Sequence, residues 1–336
     1  MSALTSLPWQ ALAILALALV FGFFNGMLDS SNIVATIIAS HAMRPRTALW
    51  MTAIANAAGP FLLGVAVART IGHEVVKESV INLPLIGSAM VAAVAWSIAT
   101  RQLGIPSSSS HALIGGILGA AISANGLSAI LLDGLIKVLV ALFISPPLGL
   151  IVGYLVMKVI LGIAENLAFS PRINTLLRSS QWVTGTWLAL SHGANDGQKT
   201  MGIITMTLVA TGTLTSFDVP VWVIVVSALA IGLGTVFGSW GLIRTLGRGF
   251  YQVRPIHSLS AQIASAAVLL GAALLGGPVS TTQVVGSAII GAGSAERVNK
   301  VRWELTRRIG LTWLLTIPIS GLISGALYRF MLNVAR

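Results

Sequence analysis

The sequence predicts an all-α polytopic membrane protein made of two inverted-topology repeats. Each repeat is expected to hold an interrupted span, a plain span, a re-entrant helical hairpin and a Pro-interrupted span. Three observations lead there. First, of 336 residues, 55% are hydrophobic and only 9% are charged, where a soluble domain carries about 25% charged residues. Second, apolar runs such as residues 11–24, 219–243 and 311–332 recur from end to end, and a run of about 20 residues crosses the hydrocarbon core as a helix. Third, short motifs recur at an offset close to half the chain length.

The first apolar run has no Lys or Arg before it. It lacks the charged start of a cleavable signal peptide, so the first helix is expected to stay in the mature protein. The Asn25-Gly26-Met27-Leu28-Asp29 stretch within this region reappears as His192-Gly193-Ala194-Asn195-Asp196. Gly and Asn in both copies mark a point where a helix is expected to break. Plain spans follow each interrupted one. After them come paired short pieces, residues 85–100 with 109–122, and residues 258–275 with 280–292. The later pieces are short for a full crossing, so each pair reads as a hairpin dipping into the membrane. The two tips read Gly104-Ile105-Pro106-Ser107-Ser108-Ser109-Ser110 and Gly276-Gly277-Pro278-Val279-Ser280-Thr281-Thr282, with their prolines 172 residues apart. The closing spans also correspond: Asp133, Lys137, Pro147 and Lys158 match Glu304, Arg308, Pro318 and Arg329, each 171 residues on.

Three crossings plus a hairpin is an odd number of passes, so the second copy inserts upside down. The repeats are placed at residues 1–163 and 181–336, with a cytoplasmic linker over 164–180. Basic residues set the orientation. Arg44 and Arg46, Arg172 and Arg178, Arg244, Arg248 and Arg254, and Arg297, Lys300, Arg302, Arg307 and Arg308 hold 12 of the 20 Lys and Arg. Residues 211–220 carry none, and Arg69 and Lys77 are offset by Glu74 and Glu78. With the clusters in the cytoplasm, both termini lie outside. The net charge of +11 is thus explained by topology signals, and no nucleic-acid partner is implied. The absence of cysteine excludes disulfides, thiolate metal sites and cysteine nucleophiles.

Discontinuous helices that meet near the bilayer midplane hold the substrate in transporters of this design. Pro106 and Pro278 suit a first helical position, where no hydrogen-bonded N–H is needed. Ser107, Ser108, Ser109 and Ser110 in one tip, with Ser280, Thr281 and Thr282 in the other, favour helix starts. Free N–H groups, the positive dipole end and these hydroxyls together form an anion site for a tetrahedral oxyanion. The alternative is plain capping, with the hydroxyls bonded to their own backbone.

Ionisable residues inside a membrane segment mark pathways or ion sites. Asp29 and Asp196, with Asn32, Asn195 and Gln198, offer oxygens that suit a hard cation such as Na⁺. A carboxylate can equally carry a proton, or merely cap a half-helix. Two carboxylates beside an anion repel it unless cations or protons intervene, which favours cation-coupled symport over a bare channel. Lys199 either touches the anion or neutralises Asp196; Asn32 occupies its matching position. His111, matched by Gln283, is either a hydrogen-bonded structural group or a proton carrier. The Asp133/Lys137 and Glu304/Arg308 pairs are spaced as helical ion pairs. With a hairpin that reaches deep, Arg101 is expected to snorkel to the cytoplasmic side, and the nine tryptophans to serve as interface anchors and packing.

The stretch His192-Gly193-Ala194-Asn195-Asp196-Gly197-Gln198-Lys199-Thr200-Met201-Gly202 closely resembles the signature of the inorganic phosphate transporter (PiT) family. Asn25-Gly26-Met27-Leu28-Asp29-Ser30-Ser31-Asn32 resembles its first copy, and the Pro-Ser-rich tips resemble its hairpins. The resemblance covers nearly the whole chain in order. It implies secondary-active symport of phosphate with H⁺ or Na⁺, a multi-pass cell-membrane location and a homodimer. For some bacterial members it also implies a neutral metal–phosphate cargo. It carries the cation role to Asp29, Asn32, Asn195 and Asp196, with Na⁺ a candidate at both aspartates. It carries the substrate role to Ser107–Ser110, Ser280, Thr281, Thr282 and the polar partner Gln198. One departure is Leu28, where the fuller signature has Asn; one cation ligand is then missing on that side. The large cytoplasmic loop of longer relatives is absent.

Two other readings compete. A sulfate carrier would use the same helix N-termini, but phosphate can donate a hydrogen bond to Asp29 or Asp196 and sulfate cannot. An intramembrane enzyme would need Ser110 and His111 to act together, yet adjacent helical residues do not face each other. No catalytic residue and no cofactor beyond the coupling ion is expected.

Overall fold

The computed structural model describes residues 7–62, 64–103, 107–166, 172–249 and 251–334. Gly104, Ile105 and Pro106 of the first tip and residues 167–171 of the linker lie outside the described residues. Among the described residues the chain is helical, with one isolated bridge between Val76 and Ile130 and no strand. Among the described residues six helices are long and apolar enough to cross a membrane.

The helices fall into two sets of six. The first set is α1 (Trp9–Ala39), α2 (Pro45–Ala58), α3 (Ala66–Arg69, continued by a wide π turn Thr70–Glu74), α4 (Leu83–Gln102), α5 (Ser109–Asn125) and α6 (Leu132–Asn166). The second is α7 (Arg172–Ala210), α8 (Val221–Phe237), α9 (Trp240–Gly249), α10 (Pro255–Leu274), α11 (Thr281–Arg297) and α12 (Trp303–Val334). The packing partners exchange between sets. Helix α5 lies along α12 and α11 along α6; α4 also packs on α12 and α10 on α6; α1 meets α8 and α7 meets α2. Even the tight contacts correspond. A methyl added at Gly119 would press on the Gly321 carbonyl, and one at Gly291 on that of Leu150. Buried apolar side chains form two main clusters, one around α4 and α5 and one around α10 and α11.

Several expectations need correction. Helices α1 and α7 run unbroken through Asp29 and Asp196. Asp29, Asn32 and Asn195 there bond to other elements, so they do not compete with the helical backbone. The breaks fall instead in the second span of each set. In the first, α2 passes into a 3₁₀ turn at Gly59–Phe61, where Pro60 removes a donor. In the second, Gly238 takes the left-handed region at φ 54 between α8 and α9, a conformation glycine adopts without steric cost. The closing spans are not interrupted: α6 is continuous through Pro146 and Pro147, and α12 through Pro318. Neighbouring helices and local adjustment tolerate such prolines in membrane helices. Pro278 is not a first helical residue; Ser280 caps α11 and Ser108 caps α5, each accepting from the N–H three residues on. Residues 172–180, assigned to the linker, form the first turns of α7.

The ion pairs also divide. Glu304 and Arg308 pair as expected, at 2.8 Å. Lys137 does not pair with Asp133; its Nζ donates to Glu74 Oε2 and Thr70 Oγ1, each at 2.9 Å. An interelement partner at the α3 turn wins over the same-helix one.

Segments from distant parts of the chain meet at one end of α7. Gln181 Oε1 accepts from Ser40 at 2.8 Å and Ser258 at 2.7 Å, and Arg254 pairs with Glu296. At the other end of α7, which is roughly 58 Å long at 1.5 Å per residue, Arg69 pairs with Asp218 at 3.9 Å and His73 stacks on Phe217.

Candidate functional site

The centre of the molecule is polar because two helices and two tips bring their hydrophilic residues to one place. Asp29 and Asp196 are both buried. Because α1 and α7 are continuous, the residues one turn before each carboxylate and three residues after it share its face. Those residues are Asn25 and Asn32 around Asp29, and His192 and Lys199 around Asp196.

Asp29 is held by hydroxyls from both tips. Ser109 Oγ donates to Oδ2 at 2.7 Å, and Thr282 Oγ1 donates to Oδ1 at 2.7 Å. Asn32 Nδ2 donates to Thr282 Oγ1 at 3.0 Å. The Asn25 amide is oriented with its nitrogen toward the carboxylates, where it donates to Asp29 Oδ2 and reaches Asp196 Oδ2 at 3.1 Å. That one amide links the two aspartates.

Asp196 has a different setting. Lys199 Nζ donates to Oδ1 at 2.5 Å, and both side chains are fully buried. His192 Nε2 lies 3.1 Å from Oδ2, and Thr281 Oγ1 donates to Oδ1 at 3.3 Å. His192 is itself oriented through Nδ1, 2.9 Å from Asn56 Oδ1. Asp29, His192 and Asp196 form the cluster whose ligand atoms lie within 4.8 Å of one another, close enough for a cation to bridge.

The other expected residues separate into groups. Asn195 clamps the second tip: its Nδ2 donates to the Gly277 carbonyl at 3.1 Å, and its Oδ1 accepts from the Val279 N–H at 3.4 Å. Gln198 Oε1 accepts from the N–H groups of Val67 and Ala68 at 2.7 and 3.2 Å, so it caps α3. Ser110 Oγ donates to the Val279 carbonyl at 2.7 Å, which ties one tip to the other. Ser108 caps α5 and sits 2.7 Å from His111 Nδ1, so His111 is bonded to Ser108 and not to Ser110. Ser280 caps α11. Ser107, Ser109 and Thr282 face the cleft described next.

That cleft is narrow, with room for about 20 Å³, and is lined by Asp29, Asn25, Asn32, Ser97, Thr100, Arg101, Ser107, Ser109 and Thr282, together with Leu28 and Leu242. Thr100 Oγ1 and Ser107 Oγ are bonded to each other at 2.7 Å. Five residues of the site were not expected there. Asn25 and His192 were legible once the helix is taken as continuous, since each precedes its aspartate by four. Arg101, expected to snorkel to the cytoplasmic side, lines the cleft. Ser97 and Thr100 carry no local signal; they face the site only because α4 ends beside the tip.

Residues 25–324 match the sequence model described as the phosphate transporter family. The chain is 40% identical over 322 residues to a "Probable low-affinity inorganic phosphate transporter" of Bacillus subtilis (strain 168), covering 94% of this chain and 95% of that one. It is 38% identical over 317 residues to a protein of the same description from Rhizobium meliloti (strain 1021), covering 94% of each. The fold matches a solved structure titled "The sodium-dependent phosphate transporter" with a TM-score of 0.87 at 20% identity, over 97% of this chain and 100% of that one.

Proposed function

This chain belongs to the phosphate transporter family, and from that premise we propose that it carries inorganic phosphate across the cell membrane by symport with H⁺ or Na⁺, through alternating access. The observation that carries this reading is the composition of the cleft. Arg101 and the hydroxyls of Ser97, Thr100, Ser107, Ser109 and Thr282 border the same space as Asp29. An Arg guanidinium and several hydroxyl donors suit a tetrahedral oxyanion. A carboxylate in the same space repels an anion unless a proton or cation joins it. Anion and cation are therefore loaded together, which is symport.

Phosphate is favoured over sulfate by the same carboxylate. Hydrogen phosphate donates a hydrogen bond to Asp29, and sulfate has no proton to give. Sites built to pair with a substrate proton reject analogues that lack it.

The mobile-cation role falls to Asp29 and Asn32, Asp196 supplies the second carboxylate of the buried cluster, and Asn195 positions the second tip. The halves, residues 1–163 and 181–336, are inverted repeats in this reading, supported by the exchanged packing partners. Both termini lie outside, supported by the collection of basic loops at one end. The cargo is phosphate, free or as a neutral metal complex, and the working unit is a homodimer.

The test is phosphate uptake into proteoliposomes with pH and Na⁺ gradients imposed separately. One gradient alone is expected to drive accumulation. Equal uptake with no gradient, or complete inhibition by equimolar sulfate, overturns the proposal.

A further inference from the structure

We propose that Lys199 is a built-in cation: its ammonium fills the cation position at Asp196, so that only the Asp29 side remains for a mobile ion. The inference rests on the symport reading above and concerns how many ions the site takes.

The argument is a comparison of matching positions. Lys199 and Asn32 occupy the same place in the two copies, three residues after their aspartates. At Asp29 that place holds a neutral amide, whose nitrogen donates to Thr282 at 3.0 Å and lies 3.5 Å from the carboxylate. At Asp196 it holds an ammonium 2.5 Å from Oδ1. Both partners have no exposed side-chain surface. An ammonium is a compact monovalent point charge, so it supplies what a bound alkali cation would supply there.

The rest of the Asp196 shell is filled as well. Thr281 donates to the same oxygen, and His192 lies beside the other. The amide that would complete a cation shell, Asn195, is turned onto the backbone of the second tip. A metal ion approaching Asp196 Oδ1 would meet an ammonium and a hydroxyl donor already bonded to that oxygen. At Asp29 no Lys or Arg stands within the matching turn: residues 25 to 33 carry neither. The buried pair is also self-locking, because separating two buried partners leaves each uncompensated.

The experiment counts Na⁺ directly. Binding of ²²Na⁺ to the purified full-length chain in detergent is measured at saturating Na⁺, without phosphate. The wild-type chain is expected to bind no more than one ion. Lys199→Asn, which copies Asn32, is expected to bind one ion more than wild type, and Lys199→Arg to match wild type. Two ions per wild-type chain overturn the proposal, whatever becomes of the variants. So does a monodisperse Lys199→Asn protein with an unchanged count. Because no phosphate is present, failure of the phosphate assignment shows only in the uptake assay and leaves this count untouched.

Discussion

Asp29 and Asp196 sit at matching positions of the two sets of helices, yet one faces a cleft and the other is sealed. Asp29 is held by neutral hydroxyls and amides and shares its space with Arg101. Asp196 is paired with Lys199 and flanked by His192 with no exposure at all. The same contrast runs through the tips. Asn195 ties the second tip by its backbone, whereas its counterpart Leu28 has no polar group and lies at the cleft edge. The two aspartates hold matching places in the two helix sets, and a few differing side chains around them leave one paired to a cation and the other bordering a cleft.

Breaking the sealed side should cost the most. Asp196→Asn leaves the Lys199 ammonium buried without a counter-charge, at a cost of about 3–5 kcal/mol. A large drop in thermal unfolding temperature and loss of coupled uptake are expected together. Retention of wild-type stability would show that the two aspartates do not differ in kind. On the open side, Arg101→Ala removes a charged donor worth roughly 1.5–3 kcal/mol. The apparent KM for phosphate should rise about ten- to hundredfold, with melting unchanged.

Asp29→Asn sharpens the contrast. Its hydroxyl partners can still bond to an amide, so the loss of stability should be near 1 kcal/mol, while uptake disappears. A variant that is stable but inactive at Asp29, beside one that is both unstable and inactive at Asp196, is the signature of the division. The smallest effect belongs to the peripheral ion pairs. Lys137→Met removes a half-exposed bridge to Glu74 worth roughly 0.2–1 kcal/mol. Arg308→Met removes a more exposed pair within one helix, worth about 0.3–0.5 kcal/mol. Differential melting of the two variants should reproduce that order.

Much of the fold was legible in advance. Apolar run length gave the membrane class, and the 171- and 172-residue offsets gave the two sets of helices. The Ser- and Thr-rich tips marked where α5 and α11 begin, although the cap fell to Ser108 and Ser280 and not to a proline-led first turn at Pro278. The breaks were misplaced because Gly and Asn in a sequence signal a turn only when their side chains have nothing better to bond. Here Asn25, Asn32 and Asn195 find partners across the site, and the helix runs on. The pairing of Lys137 was missed for a related reason: helical spacing offers Asp133, but folding offers Glu74.

The sequence by itself determined the membrane class, the doubled arrangement, the two buried aspartates and the hydroxyl-rich tips, because periodicity, hydropathy and residue type are local. Only the tertiary structure decided which hydroxyl serves which carboxylate. It turned Gln198 and Asn195 to backbone groups, sealed Lys199 against Asp196 and brought Arg101 to the cleft beside Asp29. Those outcomes depend on contacts between segments far apart in the chain, and direction in space is not written in spacing.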